Sequence, residues 1–160
     1  MERAACIGTA LCTFPKGIRA ATGSVKVFFD NCTSPVLAAT LDGFIRSASH
    51  SAHHIKDLPC GRDATDLEWI EMLARERGVW MVVTGDDRIR KNKATRAAYR
   101  DAELSGFVLA RAYQKTPMHK VASFILWRWP EMNQLFGLVG GGALYELPMN
   151  RSRKIKPLPL

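Results

Sequence analysis

Apolar positions along the chain fall into two alternating signatures, short continuous runs and stretches spaced three and four residues apart, which predict strands and helices in turn. Val25–Phe29 is a β-branched and aromatic run that ends at Asp30-Asn31. Val36, Leu37, Thr40, Leu41 and Phe44 then follow at helical spacing, with Ser34 as a capping hydroxyl and Pro35 at the first helical position. Residues 53–58 are a weaker strand candidate, and Pro59, Gly61 and Arg62 mark a loop. A helix is expected over 63–77, with Leu67, Ile70, Met72, Leu73 and Ala74 on its apolar face and Gly78 as its stop. Residues 79–84 are almost continuously apolar, as in a parallel strand buried on both faces, and lead into Gly85-Asp86-Asp87. Beyond them the pattern predicts a helix over 93–104, a strand over 107–110 and a long helix over 117–136 interrupted at Pro130. Gly140, Gly141 and Gly142 read as a flexible joint before a last strand over 143–147. The alternation argues for an α/β domain whose mainly parallel sheet lies between helical layers.

At 160 residues with 47% hydrophobic content, the chain has material for one compact domain. That domain is expected over 24–150, after a disordered extension at 1–23 and before a basic tail at 151–160 with no core of its own. Glu2, Pro15 and Lys16 break the early apolar stretch too soon for a secretory signal core. No apolar run approaches the roughly 18–20 residues that span a bilayer, since Phe124 to Trp129 is broken by Arg128 and closed by Pro130. Cys6, Cys12, Cys32 and Cys60 form no C-x-x-C pair, so free thiols in a reducing cytoplasm are expected. Twenty-three Lys and Arg against 15 Asp and Glu give a formal charge of +8, which favours a polyanion, above all nucleic acid, as partner.

The acids inside this basic chain narrow the chemistry. In an open parallel sheet, functional groups collect beyond the carboxyl ends of the strands. Asp30 follows the first strand, Asp86 and Asp87 follow the third, and one of Asp63, Asp66 and Glu68 can face the same edge from the start of the intervening helix. Each acid alone has a plainer role, as a turn residue or as a complement to a helix N-terminus. Together they offer oxygen ligands from separate elements, which suits Mg²⁺ or Mn²⁺ and the activation of a water against a phosphodiester. Arg88, Arg90, Lys91 and Lys93 follow the third acid, where they can hold phosphate at the rim.

Three segments, Val27-Phe28-Phe29-Asp30-Asn31, Gly61 to Asp66 with Glu68-Trp69-Ile70, and Val82-Val83-Thr84-Gly85-Asp86-Asp87-Arg88-Ile89, resemble the acidic segments of PIN-like domains, particularly those of VapC-type toxins. The resemblance spans roughly residues 25 to 110 and implies a PIN-like three-layer sandwich acting as a metal-dependent endoribonuclease. It implies Asp30, Asp66 and Asp86 as the catalytic, metal-holding acids, with Asp87 as a further candidate ligand and Mg or Mn as the cofactor. Thr84, Arg88 and Arg90 become substrate-binding candidates, with Thr84 also able to orient Asp86. Where many PIN domains carry a fourth acid, this chain has Asp87 followed by the cationic Arg88. The implied partners are an RNA substrate, a cognate antitoxin and a second copy of the chain. The competing expectation is a catalytically inactive PIN-like module that binds RNA or protein.

Other residues carry less. His53 and His54 fall on opposite faces of a strand, which argues against a transition-metal site with His50. Trp127 and Trp129, two apart on a helix, cannot share a base-stacking face, so at least one is expected in the core or at an oligomer contact. Ser34 and Cys32 have no nearby His to act as a base.

Overall fold

A computed structural model describes residues 23–160; the extension expected over 1–23, with Cys6 and Cys12, lies outside the described residues except for Gly23. The order is β1 (Val25–Phe29), α1 (Pro35–Ile45), β2 (Ser51–His54), α2 (Asp66–Arg75), β3 (Val79–Thr84), α3 (Arg88–Lys91), α4 (Lys93–Asp101), β4 (Ser105–Leu109), α5 (Met118–Leu138), β5 (Leu144–Leu147) and β6 (Lys156–Leu158). The described strands form one sheet in the order β2-β1-β3-β4-β5-β6, parallel except for the last pair.

Side-chain alternation divides the core into two layers, one on each face of the sheet. Val27, Phe29, Met81, Val83 and Phe107 point to the face covered by α1 and α5. Phe28, Val82 and Val108 point to the other, where Trp69, Ile70 and Leu73 of α2 and Tyr99 of α4 cover them. Each large apolar side chain removed from water contributes about 1.5–3 kcal/mol, so burial on both faces explains why β3 is an unbroken apolar run. The result is the three-layer α/β sandwich. Strands β3 and β4 approach so closely that a Cβ on Gly106 would lie 2.1 Å from the Val82 carbonyl oxygen, which only glycine permits.

Several elements depart from the expected bounds. The second strand is Ser51–His54, because the His54 ring accepts from the Lys56 amide and turns residues 55–57 into a short 3₁₀ helix. Helix α2 starts at Asp66, where Thr65 and Glu68 form a capping box. Helix α5 runs unbroken through Pro130. Within the glycine joint Gly141 is tightly packed, since a Cβ there would lie 2.5 Å from Glu103, and Gly142 adopts a φ of +81°. The basic tail supplies an edge strand, β6, and Leu158 and Leu160 pack against the α2/α4 core. Arg128, read as a break in an apolar run, is only 2% exposed and donates to the carbonyls of Asn150 and Arg153 at 2.5 and 2.6 Å, fastening the turn before β6. Trp129 is in the core while Trp127 is exposed beside Arg151. No helix of the described residues is long and apolar enough to cross a membrane.

Candidate active site

Strand order reverses between β1 and β3, so the crevice of the sheet opens beyond their carboxyl ends. The register pairs Phe29 with Val83, which sets Asp30 level with Thr84. Asp30 is 8% exposed. Its carboxylate accepts from the Cys32 amide at 3.1 Å and from the Thr84 hydroxyl. The Thr84 oxygen in turn accepts from the Asp86 amide at 2.9 Å, so one fully buried hydroxyl links the loops that carry two acids. Burial, reinforced by the nearby Asp86 charge, pushes the Asp30 carboxyl up from 3.8 to about 6 against the opposing hydrogen bonds from Thr84 and Cys32.

The loop after Asp30 is braced from beneath. Thr33 donates to the Asp30 carbonyl through its amide at 3.1 Å and its hydroxyl at 2.7 Å. The Thr33 carbonyl lies 3.1 Å from Nε2 of buried His54. Because Nδ1 of His54 already accepts from Lys56, Nε2 carries the proton and donates to Thr33. Desolvation lowers the pKa of this imidazole, keeping it neutral. Asn31 reaches across to the Arg62 carbonyl at 2.5 Å and ties the β1 loop to the segment leading into α2.

Asp66 opens α2 behind the Thr65–Glu68 capping box and accepts from the Trp69 indole at 3.3 Å; Trp69 stacks on Phe28 with ring centroids 4.8 Å apart. Asp30, Asp66 and Asp86 line one cleft of about 560 Å³, with Trp69 in its wall and Arg88, Lys91 and Asn92 on the side of the third loop. Asp86 accepts from the Arg88 amide at 2.8 Å and is ion-paired with the exposed Arg88 guanidinium. The Cys32 thiol lies 3.9 Å from Asp86, and partial desolvation together with Asp30 and Asp86 pushes it up to about 11, so it stays protonated.

The remaining candidates sit differently. Asp87 precedes α3 and is not among the residues lining the cleft. It holds Arg90 through two contacts at 2.5 and 2.8 Å and Lys91 at 3.6 Å, and the Arg90 hydrogen bond lowers its pKa. Asp87 already has helical backbone angles as the residue that opens α3, which separates it from Asp86. Arg90 is thus engaged inside its own turn, and Thr84 lies beneath the cleft surface. Lys91, expected at the rim, does line the cleft, and Asn31, Cys32 and Asn92 are cleft residues outside the predicted set. Asn31 and Cys32 were findable as the two positions directly after Asp30.

The donors fit a hard divalent cation in kind, being carboxylate oxygens around a buried acid that resists ionising. As arranged, no group of three His, Cys, Asp or Glu among the described residues stands close enough to hold a metal ion, and Arg88 provides the positive charge at Asp86. A family model described as a PIN like domain matches residues 25–111, just over half of the chain and inclusive of all three cleft acids. No curated protein and no solved structure matches the chain.

Proposed function

The chain belongs to the PIN-like domain family, and from that premise we propose that it is a metal-dependent endoribonuclease, the toxin of a toxin–antitoxin pair. The observation that carries this reading is the coupling of buried Asp30 to Asp86 through Thr84 beneath a cleft that Asp66 also lines. In this reading Asp30, Asp66 and Asp86 hold Mg²⁺ or Mn²⁺. Such an ion supplies a Lewis acid that lowers the pKa of a bound water and offsets charge on the phosphodiester. Thr84 fixes the distance between two of the acids, His54 and Thr33 keep the Asp30 loop from yielding, and Arg88 and Lys91 bind phosphate at the rim. Arg88 leaves Asp86 to do so, at a small cost because solvent screens an exposed ion pair. A small antitoxin encoded beside the gene, a homodimeric assembly and a cytoplasmic location belong to the same proposal.

A second reading, an inactive PIN-like module that binds RNA or protein, draws on the Arg88–Asp86 pair and on the absence of a three-ligand cluster among the described residues. Incubating purified protein with single-stranded RNA in Mg²⁺, Mn²⁺ or EDTA separates the two. The nuclease reading expects cleavage only with metal, falling by orders of magnitude in Asp30→Asn and Asp86→Asn. Binding without cleavage in any metal supports the module, and undiminished cleavage in both variants places the chemistry elsewhere.

A further inference from the structure

A second hollow stands at the same edge of the sheet on its opposite face. Its lining is mixed, with apolar side chains from Leu37 of α1, Leu109 at the end of β4, Tyr113, and Met118 and Val121 of α5, and polar groups between them. Its volume is about 210 Å³. Only a thin ridge divides it from the acidic cleft, because Cys32 lines both hollows, and Gly85, next to Asp86, lines this one. At that ridge a Cβ on Gly85 would lie 3.0 Å from the Cys32 carbonyl oxygen, so any side chain there would push the two loops apart.

The hydroxyls of Thr33 and Thr116 donate to the carbonyls of Asp30 and Ala112, and the Ser34 oxygen accepts from the Val36 amide in capping α1. Gln114 differs. Its exposed carboxamide donates to the Gly85 carbonyl at 3.4 Å, which places a donor and acceptor group at the ridge. Apolar side chains for the face of a ring, with hydroxyls and one amide around them, match a flat heterocycle that has a polar edge. The volume lies below the roughly 300–1,000 Å³ of clefts that take larger organic ligands.

Resting on the nuclease reading, we propose that this hollow receives the base of the nucleotide next to the phosphate held in the acidic cleft, with Gln114 contacting the edge of that base. A base must leave its stack to enter, so the substrate is single-stranded RNA, or a loop, and not a duplex.

The test uses the cleavage-silent Asp86→Asn protein and labelled eight-nucleotide RNAs of A, C or U, each also made with one abasic position moved along the strand. Anisotropy titration is expected to show one position at which base loss weakens binding by about fivefold, the low end of a stacking contact. Met118→Trp, which fills the mouth from a position 36% exposed, removes that sensitivity. Gln114→Ala changes the order of preference among the three RNAs. Binding that is indifferent to the abasic position and to both variants, while wild type still cleaves RNA, overturns the base subsite and leaves the nuclease reading standing. Absence of both RNA binding and cleavage overturns the two together.

Discussion

Asp30 carries a charge that its surroundings oppose, and the sign of that conflict is measurable. Its carboxyl titrates near 6 in the folded chain against 3.8 as its ordinary value, so between those values the folded state keeps a proton that the unfolded chain has released. Its contribution to stability is therefore complete below about pH 4 and is lost as pH rises through 6, by about 3 kcal/mol. In EDTA, Asp30→Asn should melt above wild type at pH 7.5, with the gap closing as pH falls to 4 and narrowing when Mn²⁺ is added. A gap that ignores pH would mean that Asp30 is ionised without penalty. Thr84→Val removes the buried donor to Asp30 and should lower stability above pH 6 by about 1–3 kcal/mol, whereas Thr84→Ser should retain it. Thermal melts of the two side by side check this. Asp30, Thr84 and Asp86 were legible as residues because each stands at a strand end. Their linkage was not, because it depends on the register of β1 against β3, which no local periodicity encodes. Arg128 was misread for a related reason: a guanidinium is expected at the surface unless its partners are known, and two of them are carbonyls more than twenty residues away.

At the scale of elements, the helix that brings Asp66 to the cleft depends on a local signal. Thr65 and Glu68 satisfy each other's amides, and the Thr65 hydroxyl also donates to Glu68 at 2.8 Å. Thr65→Ala should therefore cost about 0.5–2 kcal/mol in urea unfolding and should weaken Mn²⁺ binding, since Asp66 sits in the turn that frays. A stability loss with unchanged Mn²⁺ affinity would separate Asp66 from the metal site. Long amphipathic or wholly apolar stretches such as α1 and β3 were legible because burial itself writes the pattern. Strand β6 was not, since its apolar content is a leucine flanked by prolines and its pairing partner, β5, supplies the order. Pro130 was expected to interrupt α5, yet the helix continues, with Trp129 and Met132 buried on either side of it.

Across the whole molecule, a formal charge of +8 coexists with a cleft lined by three carboxylates, so attraction of a polyanion must come from the rim and the remaining surface. Arg88 and Lys91 are the cations that line the cleft, whereas Arg90 is spent on Asp87. The salt dependence of single-stranded RNA binding reports how many phosphates are neutralised, at about 0.7 in log–log slope for each. Arg88→Ala and Lys91→Ala should each flatten the slope by about that amount, and Arg90→Ala by much less, with a melting curve as the folding control. Asp86→Asn should act in the opposite sense in the absence of metal. It removes a negative charge from the cleft and frees Arg88 for phosphate, so RNA affinity should rise at low salt and the slope should steepen. Equal slopes for wild type and all four variants would move the RNA-binding surface away from the carboxyl edge of the sheet and leave the cleft without a role in holding the strand.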